Sequence, residues 1–321
     1  MPILSSINFS SDVTRNLFIA VFGVLFLASA ISYILGRKVQ SEGGKATVAN
    51  LKARVNSWWV MVIVLFSALS FNRAGSTIIF GLISFLALRE FITATPTRRG
   101  DHWALFAAFF VILPYQYWLV ATHWYGMFAI MIPVYAFILI PILTVLTPDV
   151  TEFLERNART QWGLMVCVYF ISHIPMLENL DNLPAIKMGS AGLIIFLVAV
   201  IQGSDVLQYV WGKLIGKTPV SALSPKKTLE GLVGGILSAS LLGALMHRLT
   251  PFSPLQAFGV SLLLCLVAFF GGLVMSAIKR ERGIKDWGTL IEGHGGMMDR
   301  IDSLCFSAPL YYHILRYFFN G

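Results

Sequence analysis

Apolar runs long enough to carry an α-helix across a bilayer recur along the whole of this 321-residue chain. They fall at Asn16–Leu35, Trp58–Phe71, Ser76–Thr93, Trp103–Thr122, Tyr125–Leu146, Trp162–Met176, Met188–Ser204, Leu229–Met246, Phe258–Ala277 and Ser303–Phe319. The second run is short and open to an earlier start. The sixth carries His173 and Pro175, and reads as a broken or tilted span. The expected fold class is all-α: a polytopic integral membrane protein of about ten transmembrane helices. Composition agrees, with 56% hydrophobic and only 12% charged residues, where soluble domains carry about 25% charged. No long polar block stands apart as a soluble domain.

The net charge is +8. In a soluble protein such an excess points to nucleic acid. In a chain of this kind it reads first as the cationic bias of cytoplasmic loops, and nucleic acid is not an expected partner. The first loop holds Arg37, Lys38, Lys45, Lys52 and Arg54 against Glu42, and the third holds Arg98 and Arg99 against Asp101. The second has only Arg73, and the fourth, around Thr122–Tyr125, has no Lys or Arg. Odd loops are therefore expected in the cytoplasm and both termini outside. The seventh loop (Lys213, Lys217, Lys226, Lys227) and the ninth then fall inside as well. Trp58, Trp59, Trp103, Trp124, Trp162 and Tyr312 sit at span ends as interfacial anchors. Cys167, Cys265 and Cys305 lie in or beside apolar runs without CxxC spacing, and read as buried thiols. The polar opening lacks the basic start of a cleavable signal peptide.

Against this apolar background the ninth loop stands out. Between Ser276 and Asp302 it reads SAIKRERGIKDWGTLIEGHGGMMDRID. Cations, carboxylates and glycines at this density suit a polyphosphate held by basic groups, backbone amides and a metal ion. Asp299 and Asp302, three apart at the start of the last helix, are placed to share a face. Beside Asp286 they suit a hard divalent cation. His294-Gly295-Gly296 reads as a turn open enough for an oxyanion to approach. A second cluster runs from Gly203 to Gly235. Asp205 ends an apolar run, where a carboxylate costs about 3 kcal/mol or more unless paired or wetted, although an interfacial Asp beyond the span would avoid that cost. Tyr209 is one turn on. Ser224-Pro225-Lys226-Lys227-Thr228 precedes the next helix, with Ser224 or Thr228 as its cap. Lys226 and Lys227 stand at a helix N-terminus that favours anions, although alone they would read as a topogenic pair.

The stretch S-x-I-K-R-x4-K-D-x-G-x2-I-x-G-H-G-G-M-x-D-R-I-D is similar to the signature of the phosphatidate cytidylyltransferase (CDP-diacylglycerol synthase) family. The upstream D-x3-Y-x2-G-K-x2-G and SPKKTxEGxxGG resemble that family's second block. The part before Ser204 matches only as a string of spans. The resemblance implies that CTP and phosphatidate become CDP-diacylglycerol and pyrophosphate, with Mg2+ required. It divides the chain into about six N-terminal helices (1–187) and a C-terminal catalytic region (188–321). Asp205, Asp286, Asp299 and Asp302 would be the metal-side carboxylates. Ser224, Lys226, Lys227, Lys279, Arg280, Lys285 and Arg300 would hold phosphates, and Tyr209, His294, Gly295 and Gly296 would shape the pocket. Lys226, Lys227, Asp286, His294, Asp299 and Arg300 would lie nearest the chemistry.

Three positions depart from the pattern. The family's Gly-Asp before the signature serine is Gly271-Gly272 here, its Pro before Gly-His is Glu292, and its Gly-Arg after the Tyr block is Gly212-Lys213. One expected metal-ligand carboxylate is therefore absent, and the number of ions, one or two, stays open. The expected active site lies at the cytoplasmic interface of a bacterial inner membrane, among membrane lipids, with CTP and phosphatidate or a similar lipid phosphate as partners. A homodimer stays open. Another lipid phosphate is the alternative acceptor. A transporter is the alternative class, although the ionisable residues gather in two loops rather than at the bilayer midplane.

Overall fold

The computed structural model describes residues 12–38, 42–70, 72–180, 189–221, 224, 227–290 and 295–319. The ten apolar runs become ten helical segments. These are α1 Asp12–Lys38, α2 Glu42–Ser70, α3 Asn72–Ala94, α4 Arg99–Ala121, α5 Tyr125–Val145, α6 Phe153–Asn179, α7 Ala191–Ile215, α8 Leu229–Leu245, α9 Pro254–Glu281 and α10 Met298–Phe319. Among the described residues no strand forms, and a single isolated bridge joins Pro219 to Thr228. The segments α1 to α7 and α9, eight in all, are long and apolar enough to cross a membrane. Helix α8 is shorter, and α10 opens on a charged turn. The chain is an all-α membrane protein. Its lipid-facing character shows in exposed apolar side chains such as Val24, Phe26, Phe110, Leu146 and Leu241.

Three segments are irregular. A π-helical turn occupies Ala108–Ile112 in α4, Met131–Ala136 in α5 and Met165–Phe170 in α6. Pro114 follows the first by two residues and Pro133 lies inside the second. A proline offers no N–H and its ring crowds the carbonyl four residues back, which loosens the helix around these two turns. In the sixth span Pro175 lies inside the helical stretch after its π-turn, so the span is irregular but continuous.

Close packing brings α7, α8 and α9 together. A Cβ at Gly235 would lie 2.5 Å from the Gln208 backbone N, and one at Gly231 would lie 2.7 Å from the Gln208 carbonyl O. These α8 glycines let α7 approach backbone to backbone. The α8 start is fixed by Thr228, whose hydroxyl accepts from Gly231 N at 3.2 Å. Of the two expected caps, Thr228 is the one used. The preceding loop is tied back by Val220 N to Lys227 O (2.9 Å) and Leu229 N to Thr218 O (2.8 Å). Glu230 adds bonds from Lys217 N and from the Thr218 N–H and hydroxyl. Lys227 is thereby placed just before the α8 N-terminus.

Candidate active site

Asp205 does not end its helix. Helix α7 continues to Ile215, so Asp205 lies about 15 Å inside its C-terminal end. It is an intrahelical carboxylate. A carboxylate partly withdrawn from water needs partners, and Ser303 and Arg300 of α10, with Lys227 before α8, lie within electrostatic range of it. Asp302 faces the same group, with Asp205, Lys279 and Lys227 as its charged neighbours. Gln202 on α7 ties the two helices, donating to Arg300 O at 3.1 Å. Lys227 Nζ packs over the Phe269 ring at 4.9 Å.

Asp299 is used differently. Its Oδ1 pairs with Lys279 Nζ at 2.8 Å, with side-chain exposures of only 4% and 13%. Its Oδ2 accepts from Trp287 N at 2.7 Å and Gly296 N at 3.0 Å. Three of its roughly four acceptor positions are therefore filled by the protein. The expected acidic set splits into an inner pair, Asp205 and Asp302, and an outer pair, Asp286 and Asp299, gathered at Gly295. Asp286 is exposed, and its Cβ lies 3.2 Å from where a Gly295 Cβ would stand.

The remaining expected residues divide likewise. Arg280 and Lys285 are exposed at the rim, Arg280 donating to Ile284 O at 3.4 Å. Tyr209 is exposed, with Lys213 Nζ 6.0 Å from its ring centroid. Ser224 is half-buried in the turn, where Lys227 N donates to Ser224 O at 3.0 Å. Lys226, His294 and Glu292 lie outside the described residues. Gly295 has φ +82°, a conformation that favours glycine, and a Cβ there would lie 2.7 Å from Asp299 Oδ2. Gly295→Ala is expected to lower stability by about 1–3 kcal/mol, read as a drop in Tm, and to lower turnover with it.

The Gly271-Gly272 departure sits in the site itself. A Cβ at Gly272 would lie 3.4 Å from Ser303 Oγ and 3.5 Å from Lys227 Nζ, ordinary contact distances. The position where the family pattern has Asp thus adjoins the inner pair and is open to a side chain. Gly271 is confined instead, since a Cβ there would meet the Phe306 ring at 2.6 Å.

Among the described residues no group of three or more His, Cys, Asp or Glu could hold a metal ion alone. Two neighbouring carboxylates with cations behind them do fit Mg2+, which takes one or two carboxylates and completes its shell with phosphate and water. Among the described residues the buried Arg300 Nε has no hydrogen-bond partner, so a donor remains for an incoming oxyanion.

One residue escaped the sequence reading. Glu90 on α3 is 8% exposed and accepts from Met297 N and Met298 N, both at 2.9 Å. The signal was the Arg89-Glu90 pair near the end of an otherwise apolar run, remote in sequence from both motifs.

The structure is that of a helical membrane protein in which carboxylates and cations from four segments gather at one place. The Cytidylyltransferase family model matches residues 52–318, and the chain belongs to that family of nucleotidyltransferases. It is 36% identical over 302 residues to the uncharacterized protein YnbB of Escherichia coli (strain K12), covering 92% of this chain and 96% of that one. It is 30% identical over 247 residues to the phosphatidate cytidylyltransferase of Bacillus subtilis (strain 168), covering 76% of this chain and 86% of that one. It is also 47% identical over 127 residues to that of Helicobacter pylori (strain J99 / ATCC 700824), covering 39% and 47%.

Proposed function

We propose that this chain transfers the cytidylyl group of CTP to phosphatidate, releasing pyrophosphate and forming CDP-diacylglycerol. The observation that carries the reading is the convergence of Asp205, Lys227, Lys279, Arg300 and Asp302 from four separate segments. A phosphomonoester oxygen of the lipid attacks the α-phosphorus of CTP. The bond to the β-phosphate oxygen breaks and pyrophosphate leaves. Both reactants are anionic, so the barrier is largely electrostatic. Lys227 and Arg300 offset that repulsion from the inside, and Lys279, held by Asp299, fixes the neighbouring wall. Arg280, Lys285 and Lys226 meet the outer phosphates, with Ser224 as a hydroxyl donor. Tyr209, Gly295 and Gly296 shape the pocket, and His294 serves as a phosphate donor before a general base. Asp205 and Asp302 would hold Mg2+, which when bound supplies Lewis-acid stabilisation of phosphate charge. Asp286 and Asp299 bound the outer side of that group.

Loop charges support a cytoplasmic site in a bacterial inner membrane with both termini outside. Region 188–321 carries the chemistry and 1–187 supports it. Purified full-length protein in lipid nanodiscs should release pyrophosphate from CTP only when phosphatidate is present. A second reading, transfer to an isoprenoid phosphate or another phospholipid acceptor, is favoured by Gly272 at the inner pair. Turnover with such an acceptor and none with phosphatidate would establish it. No pyrophosphate with any lipid phosphate would end both.

A further inference from the structure

Glu90 belongs to the supporting half of the chain, yet its carboxylate is built into the glycine turn. Its Oε1 and Oε2 accept separately from Met297 N and Met298 N, at 2.9 Å each. Among the described residues it has no ion-pair partner. Its charge is met by backbone amides at the α10 N-terminus, where charge-assisted bonds and the helix dipole both favour an anion. This is not a local cap, because the acceptor comes from a helix near the other end of the chain.

The fit continues on both limbs of the loop between α9 and α10. A Cβ at Gly296 would lie 2.6 Å from Glu90 Cδ, and one at Gly288 would lie 2.8 Å from Glu90 Oε1. A Cβ at either position would push the carboxylate away from its amides. The next residue, Phe91, stacks on Trp287 with centroids 5.3 Å apart and planes 26° apart. Asp299 also binds both limbs, through Trp287 N and Gly296 N. Two buried carboxylates thus clamp the loop, one from α10 itself and one from α3.

We infer that Glu90 is a positioning residue. It fixes where α10 begins, and so sets Asp299, Arg300 and Asp302, within its first turn or so, against Asp205, Lys227 and Lys279. The inference rests on the cytidylyltransferase reading for its kinetic consequence, but not for the clamp. In Glu90→Gln one acceptor oxygen becomes an N–H donor facing a backbone N–H, so one of the two bonds is replaced by a repulsive contact.

The test compares wild type, E90Q and G296A in nanodiscs. It measures pyrophosphate release, Tm, and amide hydrogen exchange at Met297 and Met298. E90Q should lower kcat at least tenfold while KM for CTP moves less than threefold, and should raise exchange at those amides more than tenfold. G296A displaces the same carboxylate without changing its charge, and should give the same signature if E90Q does not fold. A folded E90Q with wild-type kcat, or with unchanged exchange, overturns the inference, as does faster exchange with no kinetic effect. A wild type that releases no pyrophosphate removes the cytidylyltransferase reading, and the exchange rates alone then decide whether Glu90 holds the turn.

Discussion

Asp302→Asn is expected to lower lipid-dependent pyrophosphate release by about 100- to 1,000-fold, the usual cost of removing one preorganised electrostatic group from an active site. It should leave thermal stability unchanged or slightly raised. Asp302 Oδ1 takes local bonds, from Ser303 N at 2.8 Å and weakly from its hydroxyl at 3.4 Å. Burial opposes its charge most, and Asp205 repels it, while Lys279 and Lys227 attract it. Removing the charge relieves the burial cost and the repulsion at the expense of that attraction, and deprives the inner pair of one carboxylate. Asp299→Asn should behave otherwise. It strips Lys279 of its partner at 2.8 Å in a buried setting, and breaking such a pair costs about 3–5 kcal/mol. Activity and Tm should therefore fall together. The contrast separates a carboxylate that serves the substrate from one that holds the frame. Full activity in Asp302→Asn would remove the inner pair from the mechanism.

Gly235→Ala is expected to destabilise the protein by about 1–3 kcal/mol, the range for overpacking a close contact, and to lower turnover by more than the loss of folded protein explains. The new Cβ would stand 2.5 Å from Gln208 N and 2.7 Å from its Cα. Backbone atoms cannot swing aside, so α8 must move away from α7. Gln208 is one turn beyond Asp205, and Lys227 sits just before α8, so the two groups separate as the helices do. Gly259→Ala on α9 provides the control. Nothing lies within 4 Å of its Cβ position, and replacing a helical glycine by alanine gains up to about 1 kcal/mol. Thermal unfolding and pyrophosphate release on both variants check the argument. Equal behaviour would show that the α7–α8 contact does not set the site.

The ten helical segments, eight of them long and apolar enough to cross a membrane, were legible because a bilayer permits few solutions to backbone hydrogen bonding, and an apolar run of sufficient length selects the helix. Their ends were less legible. The Met188–Ser204 run marked only the apolar part of α7, which extends to Ile215, since helical hydrogen bonding does not end where hydropathy falls. The charged loop was visible by its density alone. Its division of labour was not, because Asp299 and Asp302 look alike in sequence and differ only in which neighbours face them. Glu90 was missed because a carboxylate in an apolar helix gives no hint of the distant backbone that satisfies it.

Membrane residence and helical class were fixed by the order of residues alone, because local hydropathy and the need to satisfy the backbone decide them without reference to distant contacts. The grouping of Asp205 with Asp302 rather than with Asp286, the engagement of Asp299 by Lys279, and the reach of Glu90 to Met297 and Met298 were decided only by tertiary packing. These depend on how closely glycine faces let helices approach and on which buried charges must find partners, and both are properties of segments far apart in the chain.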